Sequence, residues 1–472
     1  AKTRATATLR QLHIPPNVTT NLIYKEIMNR LLMVILITLF FLEPSIAQIP
    51  SEAFTLTNSL PGLWNKGQTE EAVEMSLELF RVYPAFFIDR IHNTLALQIK
   101  EDPEPYGYKY LEQLYQKKNP DINKIIQPIY LWSKVLSTRN KINTGEILKE
   151  LNIILRSETN YESRSERYCL LTLLELDKEN VISKRNVESI LDKIISNLES
   201  YPYIVEISEQ RHDALVRGWH RYLLAYSYHY LYTTRTKSEE YLIKASDYSP
   251  DLTDRKYRQS YFYDALVLTG NGSEIGFQHV LKEYLLNHNR DKEALTLLSE
   301  ITFANPSDEN LADLRKLFER PDNSENFSHY WKSYISAMGK PLPHVIIKSD
   351  TVEFDHSKLG NKWTLIDIWG TWCVPCLEEL PDLQTYYTEN IRKKNTNLRI
   401  VTFSFGSQKL KKFMIDNKYS FPVIEIDKQT TELFDISGYP TKILVTPNGT
   451  YITIPFGTDW RVYVRNYTLA EN

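Results

Sequence analysis

The cysteine pair in Cys373-Val374-Pro375-Cys376 is the motif with the clearest chemistry in the sequence. Two thiols this close together can alternate between a dithiol and a disulfide, and thiolates also bind metals. Haem attachment requires a histidine directly after the second cysteine, where this sequence has Leu377. A zinc site requires further ligands, and only the distant Cys169 and scattered histidines are available. The spacing therefore favours redox chemistry over metal binding or a purely structural disulfide.

An α/β arrangement is needed to position this pair. Residues 363–369 form a nearly continuous apolar run, typical of a strand buried on both faces, and an amphipathic helix to about Lys394 follows the cysteines. Alternating strands and helices imply a parallel sheet with a right-handed crossover. Further strands are predicted at 345–348, 352–354, 398–405 and 422–426, and a helix at 407–418. Two hairpin strands around Pro447-Asn448-Gly449 and a last helix complete the predicted domain.

The position of the pair between strand and helix gives each cysteine a different role. Cys373 would lie at the helix N-terminus, where unpaired N–H groups and the helix dipole favour a thiolate, the nucleophile of disulfide exchange. Cys376 lies one helical turn further along and is predicted to resolve the mixed disulfide. Pro375 limits the geometry of the helix start and removes one N–H donor. A peroxidase is disfavoured, because its cysteine needs a Pro/Thr-rich loop that Gly370-Thr371-Trp372 does not supply.

The C-terminal part of the chain also carries motifs that occur together in a known family. They are Gly339-Lys340-Pro341, Trp372-Cys373-Val374-Pro375-Cys376, Glu379-x-Pro381 and Gly438-Tyr439-Pro440-Thr441. The cysteine motif after a buried strand resembles the active site of the thioredoxin superfamily. Together with the other motifs, it is similar to the secreted TlpA-like thiol-disulfide oxidoreductases of bacterial envelopes. This resemblance covers residues 337–472 and implies a thioredoxin-like fold there.

The resemblance also implies roles for individual residues. Asp367 matches a buried acid that takes the proton from the resolving thiol, although an aspartate held by a backbone bond at the strand end is the alternative. Pro440 matches the family's cis-proline, which faces the disulfide. Trp372, Pro375, Tyr439 and Pro440 are expected to contact the substrate. No metal or organic cofactor is expected besides the redox-active disulfide, and the expected partners are protein thiol substrates and an upstream electron donor.

The middle of the chain is predicted to be helical almost throughout, from about Pro50 to Ala337. One clear apolar face recurs at helical spacing, formed by Leu215, Trp219, Tyr222, Leu223, Tyr226 and Tyr230. A small residue precedes a proline by twelve positions in three places: Ala72 and Pro84, Ser238 and Pro250, Ala294 and Pro306. This resembles the second helix of tetratricopeptide (TPR) repeats. Helical hairpins of that kind form binding surfaces, so this region is expected to bind protein.

The N-terminal residues have the pattern of a secretory signal. Residues 28–47 combine a charged start, an apolar run and a small-x-small site before Gln48, and an uncleaved membrane anchor is the alternative. Residues 1–27 are expected to be upstream read-through or a leader. The predicted location is therefore the periplasm or cell envelope of a bacterium.

Composition narrows the remaining function classes. A formal charge of −3 argues against nucleic-acid binding, and three cysteines among 472 residues argue against a disulfide-rich scaffold. The sequence thus predicts a multidomain protein, with an all-α, TPR-like domain at 48–336 and an α/β thioredoxin-like domain at 337–472. The predicted function is thiol-disulfide exchange, with a lean towards the reductase direction. The alternative is a helical protein-binding scaffold with a vestigial thioredoxin-like domain.

Overall fold

A computed structural model describes most of the chain from Ser51 onward. The described residues are 51–102, 106–138, 143–156, 161–204, 210–235, 238–250, 254, 260–270, 276–320, 325–349, 352–360, 362–392, 397–436 and 438–469. The predicted segments 1–27 and 28–47 lie outside them. The chain divides into two compact units, one ending at Ile91 and the other beginning at His92. Within the described ranges, no helix combines the length and apolar character that crossing a membrane requires.

The N-terminal region is helical, as predicted. The unit ending at Ile91 contains α1 (Ser51–Asn65), α2 (Thr69–Val82) and α3 (Pro84–Asp89), and a π-helix spans Arg90–Leu95. The helices that follow are α4 (Ala96–Glu101), α5 (Tyr106–Gln116), α6 (Pro120–Ser137), α7 (Thr144–Ile154), α8 (Ser165–Lys178), α9 (Lys184–Glu199), α10 (Arg211–Thr234), α11 (Glu239–Tyr248), α12 (Phe262–Thr269), α13 (Gln278–Asn287), α14 (Asp291–Ala304), α15 (Asp308–Phe318) and α16 (Phe327–Met338).

The predicted repeat positions coincide with helix ends. Three helices stop two residues before a proline of the repeat pattern: α2 before Pro84, α11 before Pro250 and α14 before Pro306. Ala72 and Ala294 are fully buried within their helices, whereas Ser238 is the N-cap of α11. Termination at the prolines is thus confirmed, while the TPR-like assignment remains a prediction.

Helix α10 is buried on more sides than its apolar spacing predicts. Of the predicted apolar face, Trp219, Tyr222 and Leu223 are buried and the other three residues are half-buried. Arg217, His220 and Arg221 are buried as well. Their burial is possible because Asp254 forms ion pairs with both arginines, at 2.9 Å from Arg221 Nε. The His220 ring nitrogen Nδ1 lies 3.1 Å from the backbone oxygen of Leu198. The periodicity of one helix cannot predict partners this distant in sequence.

The C-terminal region is built on a sheet of six strands in the order β1-β8-β7-β4-β5-β6. Its elements are β1 (Lys340–Pro341), β2 (Ile346–Lys348), β3 (Glu353–Asp355), β4 (Trp363–Trp369), α17 (Val374–Arg392), β5 (Leu398–Phe405), α18 (Leu410–Asp416), β6 (Val423–Ile426), α19 (Lys428–Leu433), β7 (Thr441–Val445), β8 (Thr450–Ile454) and α20 (Trp460–Thr468). Strand β5 pairs in parallel with β4 on one side and with β6 on the other. Strand β7 pairs antiparallel with β4, β8 with β7, and β1 with β8. Strands β2 and β3 form a separate antiparallel pair. The predicted α/β class and the parallel crossover are confirmed.

The two faces of this sheet pack into different cores. Odd-numbered residues of β4, such as Leu365 and Trp369, pack with Cys373 and Cys376 and with α17 and α20. Even-numbered residues, such as Ile366 and Ile368, pack with Phe434 beyond α19 on the opposite face. Because side chains alternate along a strand, Asp367 points to the face that carries the cysteines.

Candidate active site

The cysteine pair lies at the junction of β4 and α17. β4 ends at Trp369, α17 begins at Val374, and Cys373 is the residue directly before the helix. Cys373 and Cys376 form a disulfide. The backbone N–H of Cys376 donates to Cys373 Sγ over 3.3 Å. A free N–H group of the first helical turn is thus directed at this sulfur, the arrangement that stabilises a thiolate.

Both cysteines are shielded from solvent to different degrees. Cys373 is 5% exposed and Cys376 is 1% exposed. Trp372 and Val374, which flank Cys373, are among the most exposed large apolar residues that the structure describes. The surroundings of Cys373 therefore present an apolar surface, while Cys376 lies in the core beneath it.

The loop before Cys373 is fastened to the end of β5. The N–H of Thr371 donates to Ser407 Oγ over 2.9 Å, and Ser407 Oγ lies 2.6 Å from Ser404 Oγ. The indole N–H of Trp372 donates to the backbone oxygen of Phe405 over 2.9 Å. These anchors fix the direction in which the chain enters α17. Sequence reasoning missed Ser407, because its contact depends on the parallel pairing of β4 with β5.

The predicted substrate-contact residues are brought together in part. The rings of Trp372 and Tyr439 meet edge to face, with centroids 5.2 Å apart. The Tyr439-Pro440 bond is cis, as expected, and Pro440 is buried. Pro375 lies in the first turn of α17. Contact of these four residues with substrate remains a prediction.

Asp367 is buried at the fifth position of β4, with 1% exposure. Its Oδ1 lies 3.2 Å from Lys442 Nζ, an ion pair in place of the backbone bond of the alternative interpretation. Burial raises the pKa of Asp367, and the nearby Lys442 ammonium opposes that rise. Lys442 also contacts the carboxylate of Glu379, which lies one turn after Cys376 on α17. Lys442 was missed from sequence, since only the pairing of β7 with β4 brings it to Asp367.

The third cysteine is separate from this site. Cys169 lies in α8 and is buried, and burial raises its pKa well above the usual thiol value. A thiol in that environment is protonated and unreactive at neutral pH. Among the described residues, no three His, Cys, Asp or Glu side chains are grouped as metal ligands.

Known proteins similar to this chain match its C-terminal part. Residues 338–452 match the AhpC/TSA family. Thiol-disulfide oxidoreductase ResA of Geobacillus kaustophilus (strain HTA426) is 31% identical over 128 residues, covering 26% of this chain and 71% of that protein. ResA of Bacillus subtilis (strain 168) is 28% identical over 133 residues, covering 27% and 73%. The crystal structure of StoA from Bacillus subtilis is 22% identical with a TM-score of 0.24, covering 27% of this chain and 99% of that chain.

Proposed function

Through its C-terminal domain the chain belongs to the thioredoxin-like thiol-disulfide oxidoreductases, and from this we infer that it reduces disulfides in substrate proteins through Cys373 and Cys376. The observation that carries the proposal is the geometry of the cysteine pair. Cys373 Sγ receives an N–H from the first turn of α17, and Cys376 lies beneath it in the core. One sulfur is thus prepared for attack and the other for resolution.

The proposed reaction proceeds in two exchange steps. In the reduced protein, the Cys373 thiolate attacks a substrate disulfide, its S–S bond breaks, and one substrate sulfur leaves as a thiolate that takes up a proton. Cys376 then gives its proton to Asp367 and attacks Cys373 Sγ. The Cys373–Cys376 disulfide forms and the second substrate thiolate leaves. Two electrons have passed from the cysteine pair to the substrate, and an upstream dithiol donor restores the pair.

The cell envelope is the proposed place of action. Support comes from residues 28–47, whose charged start, apolar run and small-x-small site are typical of a secretory signal. Disulfides persist in that oxidising compartment, where a reductase has substrates.

The helical region is proposed to select or position the substrate proteins. Its last helices share one apolar core with the redox domain. Holding a partner there would raise its effective concentration at Cys373.

Insulin reduction tests the proposed activity in the full-length protein. With dithiothreitol as donor, we expect the wild type to reduce insulin faster than dithiothreitol alone. Cys373→Ser should abolish this excess rate, while Cys376→Ser should stall with insulin bound to Cys373 through a disulfide. Cys169→Ser is the matched control and should leave the rate unchanged. A wild-type rate equal to that of dithiothreitol alone would instead support the protein-binding scaffold.

A further inference from the structure

Helix α18 has an inward face that packs into the core containing the cysteines and an outward face that meets solvent. Met414 is buried in that core, and the Phe413 ring packs against the Trp369 ring with centroids 5.7 Å apart. On the outward face, the Ile415 side chain is 67% exposed, the highest exposure of any large apolar residue in the described part of the chain. Single exposed apolar residues are common, so the meaning of Ile415 depends on its neighbours.

The neighbours of Ile415 are basic. Residues 407–418 contain four lysines, all of them exposed: Lys409, Lys411, Lys412 and Lys418. Lys411 and Lys412 precede Ile415 by four and three positions, a spacing that places side chains together on one helix face. Lys412 is paired with Asp416 over 2.7 Å, whereas the other three lysines have no carboxylate partner among the described residues. This basic patch is opposite in sign to the chain as a whole, whose formal charge is −3.

Ile415 and part of the basic patch line a surface depression of about 640 Å³. Its lining includes three lysines and two apolar side chains: Lys409, Lys411, Lys412, Leu410 and Ile415. Glu425 also lines it and comes from β6, the strand at the edge of the sheet. Positive charge therefore prevails in the depression, around an apolar centre. The complementary ligand is a chain segment in which carboxylates flank an apolar side chain.

The depression begins beside the loop that leads to Cys373. Ser407 lines it and accepts the N–H of Thr371. A Cβ at Gly406 would lie 3.3 Å from the indole nitrogen of Trp372, so this ring covers the residue before Ser407. Trp372 is directly followed by Cys373. A substrate chain joined to Cys373 can therefore continue across Trp372 onto the lysines.

We propose that this depression is a docking surface for substrate proteins that carry an acidic segment, with an apolar side chain among its carboxylates, close to the disulfide that is reduced. The lysines attract the carboxylates, and Ile415 contacts the apolar side chain. Charges at the rim of an interface act mainly on the rate of association, so the surface selects substrates before any bond is exchanged. The inference rests on the proposed function, because it names the class of protein that reaches Cys373.

Two disulfide-bonded peptides that differ only in charge test this surface with the reduced full-length protein. Each has a leucine near the disulfide, flanked by aspartate and glutamate in the acidic peptide and by asparagine and glutamine in its neutral twin. At low salt, we expect the acidic peptide to oxidise the protein about tenfold faster than the neutral twin, as measured by rapid mixing, acid quenching and mass spectrometry. At about 0.5 M sodium chloride this preference should largely disappear, because salt screens exposed charges. Equal rates for the two peptides at low salt would overturn the proposal.

Removing charges from α18 tests which lysines are responsible. Lys409→Gln combined with Lys411→Gln should lower the ratio of the acidic to the neutral rate by at least about threefold. Lys340→Gln combined with Lys362→Gln is the matched control, since both residues are exposed. Lys340 lies in β1, at the other edge of the sheet from β6, and Lys362 directly precedes β4, at the end away from the cysteines. An equal loss of preference in the control would overturn the proposal, because overall charge would then explain the attraction.

A third variant tests the apolar centre of the depression. Ile415→Ser should slow the reaction with the acidic peptide, but not with a version of that peptide in which serine replaces the leucine. All variants should also show the wild-type pH midpoint when iodoacetamide, a neutral reagent, alkylates Cys373. A shifted midpoint in the double variant of Lys409 and Lys411 would mean that these lysines act on the thiolate instead of on the substrate, which contradicts the proposal.

The outcomes also distinguish this inference from the proposed function. A wild-type protein that exchanges with neither peptide contradicts the proposed function, and the docking surface falls with it. Exchange with both peptides at equal rates contradicts the docking surface alone. In that case, phosphatidylglycerol vesicles that bind the wild type but not the double variant of Lys409 and Lys411 would assign the basic patch to an anionic membrane instead.

Discussion

Asp367 is an acid in a position where its charged form is costly. Its pKa is raised by burial, with Lys442 acting against the rise. The folded protein therefore binds this proton more tightly than the unfolded chain, so stability falls as pH rises from the ordinary carboxyl range to the raised pKa. Above that raised pKa the folded protein carries the full cost of the buried charge.

Asp367→Asn is expected to stabilise the oxidised protein at neutral pH, because it removes the buried negative charge and leaves Lys442 paired with Glu379. We expect a gain in the free energy of unfolding at pH 7.5, because the amide needs no buried negative charge. The gain should disappear below the ordinary aspartate pKa, where both states hold the proton. Urea denaturation at pH 3.5 and pH 7.5 measures it, with exposed Asp416→Asn as the control. A gain of equal size at both pH values would contradict this account.

Among single residues of the candidate site, the positions of the two cysteines and Asp367 could be predicted from the sequence. The positions of Lys442 and Ser407 could not. The cysteines and Asp367 belong to one continuous strand-turn-helix segment, in which local spacing fixes their order. Lys442 follows Asp367 by 75 positions, and Ser407 follows Thr371 by 36. Their contacts exist only after β7 and β5 have paired with β4.

Among the elements, the loop between β4 and α17 is the most tightly constrained near the cysteines. A Cβ at Gly370 would lie 2.7 Å from the backbone oxygen of Phe405, closer than carbon and oxygen pack. That oxygen also accepts the indole N–H of Trp372. A side chain at Gly370 would therefore push the loop away from the end of β5.

Gly370→Ala is expected to destabilise the protein by about 1–3 kcal/mol, since backbone cannot move aside as a flexible side chain can. The same variant should reduce insulin more slowly, because Cys373 follows the displaced loop. Urea denaturation and the insulin assay measure the two effects. Gly62→Ala in α1 is the matched control, as a Cβ there would meet nothing within 4 Å. Equal free energies of unfolding and equal insulin reduction rates in the two variants would show that the loop tolerates displacement.

Element boundaries could be predicted where apolar runs are continuous. The predicted strands 363–369 and 398–405 coincide with β4 and β5. The helix predicted at 407–418 is shorter, at Leu410–Asp416, because residues before it bind the loop that leads to Cys373. Helix α19 was not predicted, since its six residues include two β-branched threonines and no apolar repeat; the Asp427 side chain starts it by accepting the N–H of Thr430.

At the scale of the whole molecule, helix α20 joins the redox domain to the last helices of the helical region. The Trp331 indole N–H of α16 donates to the backbone oxygen of Asn466 over 2.9 Å. The Tyr467 hydroxyl donates to the backbone oxygen of Phe303 over 2.5 Å, and the Asn466 amide donates to that of Pro306 over 2.7 Å. One apolar core includes both sides of this junction. A redox domain cut off from α14–α16 would expose that face of α20.

Trp331→Ala should therefore loosen the redox domain, although Trp331 belongs to the helical region. The change deletes a fully buried ring and the hydrogen bond to Asn466, a loss of about 3–5 kcal/mol for a buried tryptophan. Hydrogen exchange by mass spectrometry should show faster exchange in peptides covering α20 and β8. Trp132→Ala in α6 is the matched control, because that ring is equally buried but packs against Tyr168.

The control variant should leave exchange in α20 unchanged while loosening α6 and α8. If Trp331→Ala unfolds the whole chain, Trp331→Phe keeps most of the ring volume and removes only the hydrogen bond, and a smaller change confined to α20 is expected. Unchanged exchange in α20 for both Trp331 variants would mean that the two regions are stabilised independently. Faster exchange there would mean that the stability of the cysteine pair's domain depends on the helices that precede it.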